Sequence, residues 1–277
     1  MHSKTLAIHG GSSGNVNKKD VVEPVHRSTI YRLSYRDDDE LIYTRADNPN
    51  RQTLERLLVR LECSGRQDQD KCEGVAFSSG MAATSSVFQS LKPGDHILAP
   101  DDVYHGTRTF ITQQMSHWGL KYSFVDMTDF EQIRQHTRDH TRLIWVETPS
   151  NPLLKITDIS QAAEWAQQND IMLAVDNTWA TPINLKPLDL GADLVVHSTT
   201  KYLGGHSDIL GGCVIVRRDA DIAPNIRFIQ QMAGAVPSPD DCWMMRRSIG
   251  TLPYRMQAHN EHAAALADWL QQDSRIE

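Results

Sequence analysis

Seven short apolar runs, most of them separated by helical segments, constrain the fold of this chain more than any other feature of its sequence. In chain order the runs are GVAFSS, DHILAP, KYSFVDM, RLIWVETP, IMLAVDN, DLVVHS and CVIVRR. Buried parallel strands are continuously apolar, and the helices that connect them cover both faces of the sheet. We therefore predict an α/β fold in which helices sandwich a mostly parallel, seven-stranded sheet.

The two ends of the chain have a different character. The first fifty residues contain the polar stretches NVNKKD, RDDDE and RADNPNR, which predict an extended arm rather than part of the core. Helical spacing of leucines begins in RQTLERLLVRLE, and CSGRQDQDKCEG then predicts a loop. The last segment, from DDCWMM to ADWL, predicts one or two long helices with a kink or break at Pro253.

Charge and cysteine content exclude several classes of protein. The formal net charge is −7 and no basic block is present, so a nucleic-acid partner is not expected. No apolar run approaches the roughly 18 residues of a membrane span. The four cysteines show no paired CxxC spacing and the N-terminus lacks the apolar stretch of a signal peptide, which predicts reduced thiols and a cytoplasmic protein.

Ligands of open α/β sheets bind beyond the carboxyl ends of the strands, and several polar residues follow the apolar runs. Ser79, Gly80 and Met81 lie where a strand turns into a helix, so that free backbone amides can hold a phosphate, or simply form a serine-capped turn. Asp176 follows another run, where its carboxylate needs a partner such as a protonated ring nitrogen, unless it only caps a turn.

Lys201, in HSTTKYLGG, adds an amine to the polar residues that follow the apolar runs. Burial makes a lysine more nucleophilic by lowering its pKa, so that it can form a Schiff base with a carbonyl, whereas an isolated lysine is usually a solvated charge. A phosphate site, a carboxylate for a ring nitrogen and a reactive lysine together match pyridoxal 5′-phosphate. Tyr104, in DDVYHGT, offers a ring to stack on this cofactor or, alternatively, a core residue.

These residues stand in motifs that resemble a known family. YTRADNPNR, FSSGMAAT, DDVYHGT, ETPSNP, DNTWATP and DLVVHSTTKYLGGHSD are similar to segments of the Cys/Met-metabolism group of pyridoxal-phosphate enzymes. This group includes cystathionine γ-synthase, cystathionine β- and γ-lyases, methionine γ-lyase and homoserine sulfhydrylases. The resemblance extends over essentially the whole chain and implies the aspartate-aminotransferase-like (type I) fold.

The resemblance assigns roles to matching positions. Lys201 would hold the cofactor covalently and move protons, Asp176 would pair with the pyridine nitrogen, and Tyr104 would stack on the ring. Thr178 and Asn151 would lie near the ring and its hydroxyl.

The phosphate would be bound by the backbone amides of Gly80 and Met81 and by the hydroxyls of Ser198 and Thr200. No metal is implied: His136 and His140 stand four residues apart in a predicted helix, but no third ligand is in register, so solvated histidines are expected.

The arm acquires a function through the same resemblance. Tyr43 and Arg45, in YTR, would reach the phosphate bound by a neighbouring subunit, and the protein would be a homotetramer built as a dimer of dimers. Residues 1–55 are then the N-terminal arm, 56–245 the cofactor-binding large domain, and 246–277 a connecting helix with the start of a C-terminal domain. Members of the family carry a small C-terminal domain that is expected to be largely absent from this chain.

The implied activity is that of a carbon–sulfur lyase of transsulfuration, of the cystathionine β- or γ-lyase type. FVDMTD and GAVPSPDDCW are somewhat more similar to the bacterial lyases. Cystathionine γ-synthase or homoserine sulfhydrylase activity, which is γ-replacement on a homoserine ester, remains an alternative. Two further alternatives are a protein that binds the cofactor without turnover and an α/β protein whose motifs are coincidental.

Overall fold

The computed structural model describes residues 2–11, 20, 22–32, 41–63 and 69–276 of the chain. Its sheet has seven strands, arranged in the order β1-β7-β6-β5-β4-β2-β3. They are β1 Cys72–Phe77, β2 His96–Pro100, β3 Lys121–Val125, β4 Thr141–Glu147, β5 Met172–Asp176, β6 Leu194–His197 and β7 Gly212–Arg217. Strand β7 runs antiparallel to both neighbours and the other pairs are parallel, which confirms the predicted sheet.

Helices follow most strands, as the sequence predicts. They are α1 Ser3–His9, α2 Pro49–Glu62, α3 Gly80–Gln89, α4 His105–Thr109, α5 Phe130–His136, α6 Ile159–Gln168, α7 Thr181–Asn184, α8 Ala223–Ala233, α9 Pro239–Ile249 and α10 Leu252–Gln271. Helix α9 ends and α10 begins around Gly250 and Thr251, with Pro253 in the first turn of α10, so the predicted break is confirmed. No helix in these described ranges combines the length and apolarity needed to cross a membrane.

The hydrophobic core lies on both faces of the sheet because successive strand residues point to opposite sides. In β6, Val196 packs in a cluster with residues of α3, whereas Val195 packs in a cluster with residues of α2, α9 and α10. Helix α6 packs against the face of the sheet on which the side chain of Val175, in β5, lies. The sheet is therefore the middle of three layers. These layers leave open the edge at which the parallel strands have their carboxyl ends, called the carboxyl edge below.

The N-terminal arm is the part of the chain that departs from expectation. Residues 3–9 form α1, in which Leu6 and Ala7 are buried in the same core cluster as residues of α2 and α10, so the prediction of an extended arm is wrong there. Helix α2 begins at Pro49, before the predicted start, because the side chain of Asn48 caps it by accepting a bond from the Asn50 amide at 2.9 Å. NVNKKD up to Lys19, RDDDE and the loop residues 64–68 lie outside the described residues.

Trp145 of β4 offers a test of the central layer. It is fully buried and its ring lies 5.0 Å from that of Phe88, while its indole nitrogen has no hydrogen-bond partner among the described residues. Trp145→Ala should lower the free energy of unfolding by about 3–5 kcal/mol through the cavity that it leaves. Trp145→Phe should cost less than half of that, because it keeps a ring and removes the unpaired donor.

Urea denaturation of the apoprotein measures both changes, and Trp118→Ala is the control because Trp118 is 50% exposed. Equal costs for the alanine and phenylalanine variants of Trp145 would contradict the packing described here.

Candidate active site

A cavity of about 1050 Å³ opens at the carboxyl edge of the sheet, beyond strands β1, β4, β5 and β6. Its volume is that of a site for a small organic ligand. All of the residues singled out in the sequence except Tyr43 and Arg45 line it, namely Gly80, Met81, Tyr104, Asn151, Asp176, Thr178, Ser198, Thr200 and Lys201. The structure thus brings together residues that are up to 121 positions apart, from Gly80 to Lys201.

The N-terminus of α3 forms one wall of the cavity. The Ser79 hydroxyl caps the helix by accepting a bond from the Ala82 amide at 3.1 Å, as the sequence predicted. The first amides of a helix have no partner within it, and the helix dipole adds positive potential there. A Cβ at Gly80 would lie 2.7 Å from Cβ of Ser198, so only glycine lets α3 approach the turn after β6 this closely.

Asp176 ends β5 with its carboxylate towards the cavity. Removal from water raises its pKa, although hydrogen bonds from Thr178 act in the opposite direction; the Thr178 amide donates to the Asp176 carboxylate at 3.0 Å. Oγ1 of Thr178 also accepts from the Ser198 amide at 2.8 Å, which links the end of β5 to the end of β6. A carboxylate in this setting favours a cationic partner.

A second carboxylate, Glu147, stands beside it at the end of β4. The register of the strands pairs Glu147 with Asp176. Burial and the neighbouring charge of Asp176 raise the pKa of Glu147 to about 8. Its two oxygens accept from the amides of Tyr104 at 3.0 Å and Asn151 at 2.9 Å, so this side chain holds two walls of the cavity in place.

Tyr104 stands at the start of α4 with its ring in the cavity. The residue is 47% exposed, which excludes the alternative of a core tyrosine. A Cβ on Gly106 would lie 2.5 Å from Cε1 of Tyr104, so the glycine leaves room for the ring. The ring face is therefore available to a planar ligand.

Lys201 lies in the turn after β6 and is exposed to the cavity. The expectation that the apolar strands would bury this lysine is wrong, because the chain leaves the sheet after His197 and places Lys201 at its rim. The turn is held by bonds from the Gly204 amide to Thr199 O at 2.8 Å and from the Gly205 amide to Lys201 O at 2.7 Å. The amine therefore stands on a rigid turn and is accessible to a ligand.

Helix α10 supports the same turn from outside. Nη1 of Arg255 donates to the carbonyl of Tyr202 at 2.6 Å, and Nη2 donates to that of Ser248 at 3.0 Å. Gly205 has φ +72°, and a Cβ there would lie 2.2 Å from Nη1 of Arg255. Glycine is required at this position both by the backbone conformation and by the approach of the guanidinium.

Ser198 and Thr200 both face the cavity, but Thr200 is already engaged. Its hydroxyl donates to Gly211 O at 3.2 Å and accepts from the Gly211 amide at 3.1 Å. It must rotate away from Gly211 before it can donate to a ligand.

Tyr43 and Arg45 do not line the cavity. The Arg45 guanidinium lies 5.6 Å from the centre of the Tyr43 ring and donates to the carbonyl of Gln231 in α8. Tyr43 is 39% exposed. Within one chain the two residues therefore lie on the surface, apart from the other predicted site residues.

Sequence reasoning assigned no role to several cavity residues, namely Glu147, Trp179, Tyr202 and His259. The position of Glu147 at the end of a strand next to that of Asp176 was a signal that pointed to it. His259 belongs to α10, and its ring centre lies 5.0 Å from that of Tyr202. No local pattern marks a residue of this helix as part of a site 58 positions away from Lys201.

The raised pKa of Glu147 predicts a pH dependence of stability. Between the ordinary value of 4.5 and about 8, the folded apoprotein holds a proton at Glu147 that the unfolded chain releases. The free energy of unfolding should therefore fall as the pH rises through this window, by at most about 1.4 kcal/mol per pH unit from this group. Glu147→Gln should flatten the fall.

Urea denaturation at pH values across the window measures the slope. Glu164→Gln, at an exposed position of α6, is the matched control and should leave the slope unchanged. An identical slope for the wild type and Glu147→Gln would show that Glu147 does not hold the proton.

Comparison with known proteins connects this site to a family. The sequence profile of the family described as Cys/Met metabolism PLP-dependent enzyme matches residues 4–277. A probable cystathionine gamma-synthase of Herpetosiphon aurantiacus is 39% identical over 274 residues, covering 99% of this chain and 83% of that protein. A cystathionine beta-lyase of Coxiella burnetii is 40% identical over 277 residues, covering 99% of this chain and 70% of that protein.

A solved structure supports the same family relationship. The crystal structure of metB from Corynebacterium glutamicum superposes with a TM-score of 0.92 at 38% identity, covering 100% of this chain and 71% of that chain. The match includes the whole sheet and the cavity at its carboxyl edge, and it confirms the predicted type I fold and pyridoxal 5′-phosphate as the cofactor. The chain belongs to the Cys/Met-metabolism family of pyridoxal-phosphate-dependent enzymes.

Proposed function

We propose that this protein is a carbon–sulfur lyase that acts on cystathionine or a related sulfur amino acid. The observation that carries the proposal is the convergence of the Lys201 amine, the Asp176 carboxylate and the N-terminus of α3 on one cavity. Relatives named cystathionine beta-lyase, from Coxiella burnetii, and cystathionine gamma-lyase, from Bacillus subtilis at 40% identity, support this substrate class.

The residues of the cavity fit pyridoxal 5′-phosphate at both of its ends. The α3 amides of Gly80 and Met81 suit a phosphate, and the glycine leaves the space that a side chain would fill. The Ser198 hydroxyl, and that of Thr200 after rotation, would complete the phosphate site. At the other end a positive ring nitrogen would compensate the desolvated carboxylate of Asp176.

The remaining side chains would orient the ring. Tyr104 would cover one face, while Thr178 and Asn151 would border the ring and its hydroxyl. Glu147 would hold the backbone of Tyr104 and Asn151 in place without contacting the reacting atoms.

The chemistry is then divided between cofactor and protein. When bound, pyridoxal 5′-phosphate withdraws electrons from the α-carbon of an amino acid. Nζ of Lys201, on its rigid turn, would accept the proton from that carbon and return it later to the substrate or its leaving group. Asp176 would keep its negative charge towards the ring, and Tyr104 would limit the access of water. Elimination would release a thiol amino acid, and hydrolysis of the remaining imine by one water molecule would give a 2-oxo acid and ammonia.

γ-Replacement is the second candidate, because the relatives include cystathionine gamma-synthases from Herpetosiphon aurantiacus and Mycobacterium leprae. It would use the same cavity and the same Lys201, with an O-acyl homoserine as substrate and cysteine or sulfide as the second substrate. Formation of a thioether from cysteine, or of a thiol amino acid from sulfide, without release of a 2-oxo acid would identify it. A protein that binds the cofactor without turnover would give neither product.

We also propose a cytoplasmic homo-oligomer, in which residues 1–55 act as the arm, 56–245 as the large domain and 246–277 as the connection to a further domain. Cys213 and Cys242 are buried thiols that form no disulfide, which is consistent with a reducing compartment.

Lys201→Ala should abolish the visible absorption of the lysine-bound cofactor and the release of thiol from L-cystathionine, since no other amine lines the cavity among the described residues. The assay mixes the purified protein, pyridoxal 5′-phosphate and L-cystathionine with a thiol-reactive dye and follows the 2-oxo acid separately. Loss of activity by at least about 10³-fold is expected for a group that transfers the proton.

Lys186→Ala is the matched control for this experiment. Burial lowers the pKa of Lys186, which makes it the competing reactive amine, but it does not line the cavity. Both signals should persist in this variant. Retention of the absorption band by Lys201→Ala would show that a different lysine holds the cofactor.

The exposed position of Arg45 predicts a separate effect. If the arm completes the phosphate site of a neighbouring subunit, Arg45→Ala should weaken cofactor binding by about tenfold or more, the loss of one charge-assisted contact. Dialysis followed by measurement of retained cofactor gives the result, with Arg27→Ala as a control because Arg27 is exposed in the same arm and pairs with Asp240. Unchanged retention in a protein shown to be dimeric would remove Arg45 from the site.

A further inference from the structure

A buried polar network lies behind the cavity wall, where no ligand reaches. Glu62 ends α2, His197 ends β6, and Nε2 of His197 lies 2.6 Å from Oε1 of Glu62, with both side chains 1% exposed. Nδ2 of Asn177, whose residue is fully buried, donates to the same oxygen at 3.1 Å. One carboxylate oxygen therefore joins the ends of two neighbouring strands.

The network holds the immediate chain neighbours of the proposed cofactor contacts. His197 directly precedes Ser198, and Asn177 stands between Asp176 and Thr178. The hydrogen bonds of these two side chains therefore restrain the backbone from which the contacts project. Glu62 thus acts on both segments at once, although it does not line the cavity.

Further bonds make the link between the segments rigid. The Asn177 amide donates to the carbonyl of Val196 at 2.9 Å, and its side chain also donates to that of Leu185 at 3.0 Å. Glu62 stands at the end of a helix whose residues Leu57 and Leu58 are 1% exposed, so the carboxylate has a fixed base. Side chains on rigid elements with few alternative positions hold a site to within fractions of an ångström.

Stability alone does not account for these residues. Oε2 of Glu62, Nδ1 of His197 and Oδ1 of Asn177 have no hydrogen-bond partner in the described part of the chain. A buried polar atom without a partner costs free energy, and a buried ionic pair is often no more stabilising than apolar residues of the same volume. A network that costs free energy of folding and leaves buried polar atoms without hydrogen bonds points to a role other than stability.

We propose that Glu62, His197 and Asn177 form a positioning network that sets the separation between the Asp176 carboxylate and the turn from Ser198 to Lys201, and thereby the affinity for the cofactor. The inference rests on the proposed function, since it needs the cofactor to occupy this cavity. It concerns residues that touch neither cofactor nor substrate.

The test measures the dissociation constant of pyridoxal 5′-phosphate by titrating the apoprotein and following its intrinsic fluorescence. His197→Asn removes the atom bonded to Glu62, and binding should weaken by about tenfold or more, as when a ligating group loses the partner that orients it. His197→Gln places an amide nitrogen near the position of Nε2 and should restore the affinity to within about threefold of the wild type. The thermal stability of each apoprotein is measured in parallel.

His96→Asn is the matched control. His96 is a strand histidine that is 1% exposed and bonded to Thr141 at 2.8 Å and Ser123 at 3.0 Å, but it stands at the amino end of β2. This variant should lose stability without losing affinity for the cofactor. An equal loss of affinity in His96→Asn and His197→Asn would reduce the network to general structural support and overturn the proposal.

A double-mutant cycle tests the connection to Glu62. Glu62→Leu removes the acceptor and should weaken cofactor binding by less in the His197→Asn background than in the wild-type background, because both changes break the same bond between Oε1 and Nε2. Additive losses would overturn the network. Wild-type protein that fails to bind pyridoxal 5′-phosphate would refute the proposed function together with this inference, whereas equal binding by the wild type and His197→Asn would refute the inference alone.

Discussion

The parallel, in-register pairing of β4, β5 and β6 is the constraint on which the rest of this structure depends. It places Glu147 opposite Asp176 and Asp176 opposite Val196, so that the ends of the three strands form one edge. Peptide hydrogen bonds in the sheet set these positions, and the apolar residues on both faces prevent a shift of register, since a slip by one residue would move every side chain to the opposite face and disrupt its packing. The cavity is a consequence of this edge, because the chain must leave the sheet there.

The same edge concentrates groups that would be unfavourable elsewhere. Two carboxylates, Glu147 and Asp176, stand side by side with raised pKa values, and a third, Glu62, is buried with one oxygen unpaired among the described residues. Each of them costs free energy of folding that a purely structural protein would avoid. Perturbed ionisable groups gather at functional sites, and here Glu147 and Asp176 line the same cavity as Lys201, the lysine that we propose holds the cofactor.

Local patterns were sufficient for the elements and for most of the site. All seven apolar runs became strands, and the cap at Ser79 is formed, because burial and helix capping depend on neighbouring residues in the chain. The helix at residues 3–9 was harder to predict, since α1 becomes stable only by packing Leu6 and Ala7 against α2 and α10. His259 entered the cavity through the packing of α10, which a single sequence does not display.

The sequence by itself determined the α/β class, the family and many of the residues that line the cavity, because these follow from periodicity and from motifs of adjacent residues. Only the tertiary structure decided that Lys201 stands exposed at the rim, that Tyr43 and Arg45 lie apart from the other site residues within one chain, and that Glu62 reaches His197, which is 135 positions away. The physical reason is that exposure and hydrogen-bond partners are properties of packed neighbours. Those neighbours are brought together by the sheet and by the helices that cover it.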